Sequence, residues 1–250
     1  KSRTINGYLV ALLIVAQFAG KDRDWSWLRA LVNRFDAEAR EQSGPSYKLP
    51  PIGQLFQLAV KYMETCSNKP PHLPLDIHVR FRDGLMIAIL CARALRRRNL
   101  TMIEIGRHLA ETSEGYRLVF TAPEIKTGQL YDAALPKAVV PYMRTYLATH
   151  RPVLLQGTES QALWISSAGH PLTANGIRER VRIMTNRLLG YALTPHAFRR
   201  AGATTIAIDH PDLLHATSAL LHHSGPDTAQ RYYNLANSTA ASRRYQTALY

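Results

Sequence analysis

Between His108 and Leu135 the chain carries three short alternating segments, His108-Leu109-Ala110, Tyr116 to Thr121 and Gln129 to Leu135. The pairs Glu114-Gly115 and Thr127-Gly128 separate them as turns. Period-two alternation broken by glycine turns predicts a small antiparallel sheet. Elsewhere the apolar residues recur at helical spacing. Residues 5–42 read as two helices, the first carrying Leu9, Leu12, Leu13 and Ala16. Asp24 stands ready to cap the second, with Trp25, Leu28, Leu31, Val32 and Phe35 on it. Further helical patterns cover about 52–66 and 75–97, and Pro136 onward is mostly helical, with a short candidate strand at Trp164-Ile165. The expected fold class is mainly α with a small antiparallel β-sheet (α+β).

Ser43-Gly44-Pro45-Ser46 and Pro50-Pro51 mark a linker over 44–53. Two helices make too small a core to stand alone, so 1–43 reads as the end of a larger helical domain. The main domain is expected over 54–236, with a tail over 237–250. The chain starts at Lys1 rather than Met, which suggests an upstream portion.

The 31 Lys and Arg against 18 Asp and Glu give a net charge of +13. Such a field attracts polyanions, nucleic acid foremost, because neutralised phosphates release counterions. Cys66 and Cys91 are the only cysteines. They provide neither a disulfide framework nor a paired-cysteine zinc site, and they fit a reducing, cytoplasmic setting. The apolar run Tyr8 to Phe18 is too short to span a bilayer and is interrupted by Gln17, so no membrane partner is expected.

Four local patterns can carry chemistry. In Thr194-Pro195-His196-Ala197-Phe198-Arg199, Thr194 suits an N-cap and Pro195 the first helical position. His196 and Arg199 then share one face of the first turn, where a guanidinium fork and an imidazole can address one phosphate. The ordinary explanation is a packed histidine beside a surface cation. In Leu220 to Tyr233, an apolar stretch leads into His222-His223, a Ser-Gly-Pro-Asp break, and a helix bearing Tyr232 and Tyr233. A phenol ionises near ~10, so it attacks only where cations and a base assist it. A core aromatic pair would look the same. Leu95-Arg96-Arg97-Arg98-Asn99-Leu100 ends an apolar helix, where arginines also serve simply to complement the helix dipole. Lys126 sits at a hairpin tip, where most lysines are merely solvated.

Their joint order, arginine, hairpin lysine, His-x-x-Arg, histidine and tyrosine, resembles the tyrosine recombinase (phage integrase) family over about 75–235. By that resemblance Arg96 is the first arginine, Lys126 the hairpin lysine, and His196 with Arg199 the His-x-x-Arg box. His223 matches the third-box histidine, and Tyr232, nine residues on, has the nucleophile's spacing. Two departures stand out. Asn99 replaces a frequent acidic residue, and His222 a usual glycine. Adjacent helical residues point about 100° apart, so Tyr232 and Tyr233 cannot both serve.

The resemblance implies a tyrosine recombinase-like catalytic domain over 54–236 that breaks and rejoins DNA, preceded by the end of a DNA-clamping, core-binding domain. Arg96 and Arg199 would clamp the scissile phosphate, and Tyr232 would form a 3′-phosphotyrosine. Lys126 would protonate the leaving 5′ oxygen, His196 would act as base, and His223 would bind a phosphate oxygen. The implied partners are double-stranded DNA and further copies of the chain, a tetramer on DNA, with 237–250 a candidate for docking on a neighbour. No cofactor and no nucleotide is expected: neither a P-loop nor a Rossmann glycine pattern occurs, and there is no carboxylate cluster for magnesium. Three alternatives stay open: a type IB topoisomerase, an inactive DNA-binding relative, and a metal site at His210, His215, His222 and His223.

Overall fold

The computed structural model describes residues 2–41, 50–67 and 74–209. They fall into two compact units that divide between Leu49 and Pro50.

The first unit is a helical hairpin of α1 (Ser2–Ala19) and α2 (Ser26–Glu41). Asp24 starts α2 as its position suggests, accepting the Ser26 backbone N–H at 2.8 Å and the Ser26 hydroxyl at 2.9 Å. Trp25 sits one residue before the helix and donates its indole N–H to the Gly20 carbonyl at 2.8 Å, which closes the turn. Leu28 is buried, whereas Tyr8, Leu12, Val15 and Phe18 are exposed.

The second unit is built around α4 (Leu75–Arg93), whose residues from Phe81 to Leu90 are buried on every side. A helix apolar all round belongs at the centre of a core. It packs against α3 (Ile52–Ser67) through Leu55, Ala59 and Met63, and against α8 (Ala174–Leu189) through Ile177, Val181 and Met184. Gly84 permits the close approach of α3: a Cβ there would stand 2.8 Å from Met63 Cγ.

After α4 come the short α5 (Arg97–Thr101) and a three-stranded antiparallel meander. Its strands are β1 (Leu109–Thr112), β2 (Gly115–Phe120) and β3 (Tyr131–Ala134). Leu109 pairs with Leu118 and Phe120 with Tyr131. Tyr116, Leu118 and Phe120 face the core at every second position of β2, as the alternation requires. The chain returns through α6 (Val140–Thr145), a π turn at Tyr146–His150 and α7 (Arg151–Leu155). Trp164-Ile165 does not form a strand; it contributes one bridge, Ile165 to Pro171. The Trp164 indole instead donates to the Leu100 carbonyl at 2.9 Å, fixing the floor beneath α5. Helix α9 (Pro195–Asp209) completes the described residues. Among these, no helix is long and apolar enough to cross a membrane.

Candidate active site

The site begins where α4 stops. The sequence pattern runs on as helix to about residue 97, but Ala94 adopts φ 44° and ψ 40° and ends it, its N–H closing on the Leu90 carbonyl at 2.8 Å. A left-handed residue is a common helix terminator, yet alanine takes it only at a cost that the surrounding structure must meet. The turn leaves the Ala94 carbonyl facing α9, and Arg199 Nη1 donates to it at 2.8 Å. Two residues on, Arg96 is extended at the N-cap of α5. The αL turn therefore brings together arginines far apart in sequence. Both line one small cleft with Arg93, Asn99, Ile125 and Tyr131.

Arg199 is buried and Arg96 half-buried, and desolvation lowers the Arg96 pKa. A guanidinium stays protonated even so. Arg93 donates from Nε to the Ala134 carbonyl at 3.0 Å, tying the end of α4 to β3. Tyr131 is buried beside Arg93 and Arg199, and desolvation pushes its phenol up to about 12. It is a neutral hydroxyl at physiological pH. No acidic residue lines the cleft among the described residues. Guanidinium forks around a small opening suit a phosphate-like oxyanion.

Lys126 lies on the exposed turn between β2 and β3, one residue beyond the buried, cleft-lining Ile125. That turn is firmly built. A capping box joins Thr121 and Glu124, with the Thr121 N–H and hydroxyl both donating to Glu124 Oε2 at 2.9 Å. Glu124 Oε1 receives Arg107 Nη2 at 2.5 Å and His108 Nε2 at 3.2 Å. His108 Nδ1 accepts the Glu104 backbone N–H at 3.1 Å, which makes Nε2 the protonated nitrogen facing Glu124. The Thr121 N–H above all, then His108 and the Thr121 hydroxyl, hold the Glu124 carboxyl down at about 2. Asn99 Nδ2 donates to the Glu124 carbonyl at 3.0 Å, and Gly128, at φ 67°, closes the turn through its N–H on the Ile125 carbonyl.

His196 is exposed on the first turn of α9, where Pro195 is the first helical residue as expected. His223 and Tyr232 lie outside the described residues, as do His222, Tyr233 and the histidines at 210 and 215. Of the six expected residues, Arg96 and Arg199 share the cleft and Lys126 neighbours its edge. Among the described residues no group of three metal-ligating side chains occurs. Arg93, Tyr131 and the Glu124–His108 contact carry no sequence motif. Only the end of the apolar run could have marked Arg93, and only its inward register on β3 could have marked Tyr131.

The family model described as the phage integrase family matches residues 63–239. Tyrosine recombinase XerD of Staphylococcus saprophyticus is 30% identical over 161 residues, which are 63% of this chain and 52% of that protein. XerD of Staphylococcus aureus strain Mu50 is 29% identical over the same shares. The chain thus spans about half the length of the curated relatives it matches. Among solved structures, the XerH site-specific recombinase bound to palindromic difH substrate, a post-cleavage complex, is similar at TM-score 0.55 and 17% identity. The match covers 75% of this chain and 51% of that one. The XerA recombinase is similar at TM-score 0.55 and 16% identity, over 99% of this chain and 83% of that one. At such identities these structures show the fold. The family model, however, covers well over half of the sequence, including every one of the six expected residues, and the chain belongs to the phage integrase family.

Proposed function

We propose that this chain is the catalytic part of a site-specific DNA recombinase or integrase that cuts and rejoins double-stranded DNA through a 3′-phosphotyrosine. The observation that carries this reading is the cleft in which Arg96 and the Ala94-held Arg199 meet beside the Lys126 turn. Arg96 and Arg199 bind the non-bridging oxygens of the scissile phosphate and stabilise the charge that grows on them at the pentavalent transition state. Tyr232 Oη attacks phosphorus as the P–O5′ bond breaks. His196 takes the phenolic proton, Lys126 gives one to the departing 5′ oxygen, and His223 hydrogen-bonds a phosphate oxygen. The new ester keeps the phosphodiester's energy, so a 5′ hydroxyl reverses the step without a nucleotide.

The relatives' names support the reading: XerD is a tyrosine recombinase, and XerH is a site-specific recombinase solved bound to palindromic difH substrate in a post-cleavage complex. We place residues 1–43 in a clamp around the duplex, and recombination between two duplexes calls for four protomers, with 237–250 docking between them. Incubating the protein and a Tyr232→Phe variant with nicked duplexes of randomised sequence tests the chemistry. A covalent protein–DNA adduct on denaturing gels, lost in the variant, is expected. An adduct that persists in Tyr232→Phe moves the nucleophile to Tyr233. Enrichment of one sequence among the trapped duplexes separates a recombinase from a topoisomerase, which cuts without a specific site. No adduct from either protein would favour the inactive DNA-binding alternative.

A further inference from the structure

The β2–β3 connection spans ten residues, 121–130, far more than a tight hairpin needs, yet the lysine it carries must meet one leaving oxygen. Its position is set by Glu124, two residues before Lys126, which is held at both ends. The Glu124 carboxylate gathers the Thr121, Arg107 and His108 donors, and its backbone carbonyl receives the Asn99 amide. Asn99 is buried and belongs to α5, the five-residue helix that carries Arg96 at its N-cap. One short element therefore fixes both the cleft-lining Arg96 and the backbone that leads into Lys126.

The chemistry of this contact specifies the residue type. A carbonyl oxygen accepts and never donates, so its partner must supply an N–H or O–H. The Asn99 amide does so at 3.0 Å. An ionised carboxylate in the same place has no hydrogen to give, and it would set two acceptors against each other in a buried space. The contact as built takes a donor, which the Asn99 amide supplies.

Resting on the recombinase reading above, we propose that Asn99 and Glu124 are positioning residues that hold the Lys126 ammonium in reach of the leaving 5′ oxygen, Asn99 acting specifically as a hydrogen-bond donor. Replacing Asn99 with the nearly isosteric aspartate then impairs the enzyme. The impairment falls on proton delivery to the leaving group and spares the phosphate contacts.

The test uses the full chain and a duplex of the sequence enriched by trapping, made with either oxygen or sulfur at the bridging 5′ position of the cleaved phosphate. A thiol ionises near pH ~8.5, so a thiolate departs without needing a proton. On oxygen DNA, Asn99→Asp and Glu124→Gln are expected to form the adduct at least about tenfold more slowly, part of the roughly 10²–10⁴-fold that proton transfer contributes. On sulfur DNA both should return to within about threefold of wild type, as Lys126→Ala should. An equal loss on both substrates, or no loss on oxygen DNA, overturns the positioning role while leaving strand cleavage intact. If the preceding trapping step yields no adduct with the wild-type protein, the recombinase reading fails instead. Should Asn99→Asp fail to fold, Glu124→Gln decides alone.

Discussion

Two clusters of arginines lie along α4, about 16 Å apart at 1.5 Å per residue, and they are held by different kinds of partner. Toward its N-terminal half, buried Arg82 donates to Asp83 Oδ1 at 2.7 Å, and Arg180 holds Asp83 Oδ2 at 2.6 Å. At its C-terminal end, Arg199 is held by the Ala94 carbonyl and Arg93 by the Ala134 carbonyl. A carboxylate orients a guanidinium and cancels its charge; a carbonyl orients it and leaves the charge in place. The first cluster therefore ties α4 to α8, while the second, with Arg96, lines the cleft in which we propose the phosphate binds. A buried arginine alone does not mark a site. The partner that holds it does.

The sharpest way to break that contrast is to remove one member of each cluster. Arg199→Ala is expected to slow adduct formation by about 10²–10³-fold, the usual loss when one preorganised charge-stabilising donor is removed. Arg180→Ala is expected to leave that rate within about threefold, because it stabilises the fold rather than the transition state. Gel-based adduct kinetics with both variants would reveal any reversal. Asp83→Asn probes the structural cluster from its other side. It strips two guanidinium groups of their counter-charge and is expected to cost on the order of 3 kcal/mol in urea unfolding. A change below about 1 kcal/mol would mean that the carboxylate contributes little beyond packing.

A smaller, pH-dependent effect comes from a third buried contact. His78 and His150 approach at 3.0 Å between their Nδ1 atoms, and His150 stacks on Phe81 at 3.9 Å. Desolvation first, and His78 second, lower His150 from 6.5 to about 4. A folded-state value below the unfolded one means that the unfolded chain binds the proton first. Stability is then complete above about pH 6.5 and is lost as pH falls toward about 4. Between pH 7 and 5 the expected loss is about 2 kcal/mol, followed by thermal or urea unfolding, and His150→Leu should flatten it. An unchanged slope in that variant would assign the acid sensitivity to other groups.

The parts of the fold that could be read from sequence are those with local causes. Alternation at Tyr116, Leu118 and Phe120 places β2, and the helical spacing of Leu55, Ala59 and Met63 places α3. The end of α4 could not be read, because Ala94 has no sequence feature of a left-handed residue; its conformation is supported by a contact with Arg199, 105 residues away. Likewise Trp164-Ile165 has the composition of a strand, but its only backbone partners among the described residues are the Leu172 N–H, which donates to the Trp164 carbonyl at 2.8 Å, and one bridge from Ile165 to Pro171. Of the ordered motif, Arg96 and Arg199 line the cleft, Lys126 follows the cleft-lining Ile125, and His196 is exposed on the first turn of α9. Tyr131, Arg93 and the Glu124–His108 contact depend on which surfaces meet, and no spacing encodes that. The expected roles of His223 and Tyr232 fall outside the described residues.

In the proposed reaction Arg199 answers the negative charge of the scissile phosphate. The most direct measurement replaces that phosphate, at the position mapped by trapping, with an uncharged methylphosphonate. Adduct formation is then compared for wild type, Arg199→Ala and Arg180→Ala. The expected result is that Arg199→Ala, severely impaired on ordinary DNA, recovers most of its deficit on methylphosphonate DNA, because the charge it served is gone, while Arg180→Ala tracks wild type on both. A deficit of equal size on the two substrates would contradict the account, since Arg199 would then act through the fold and not on the phosphate.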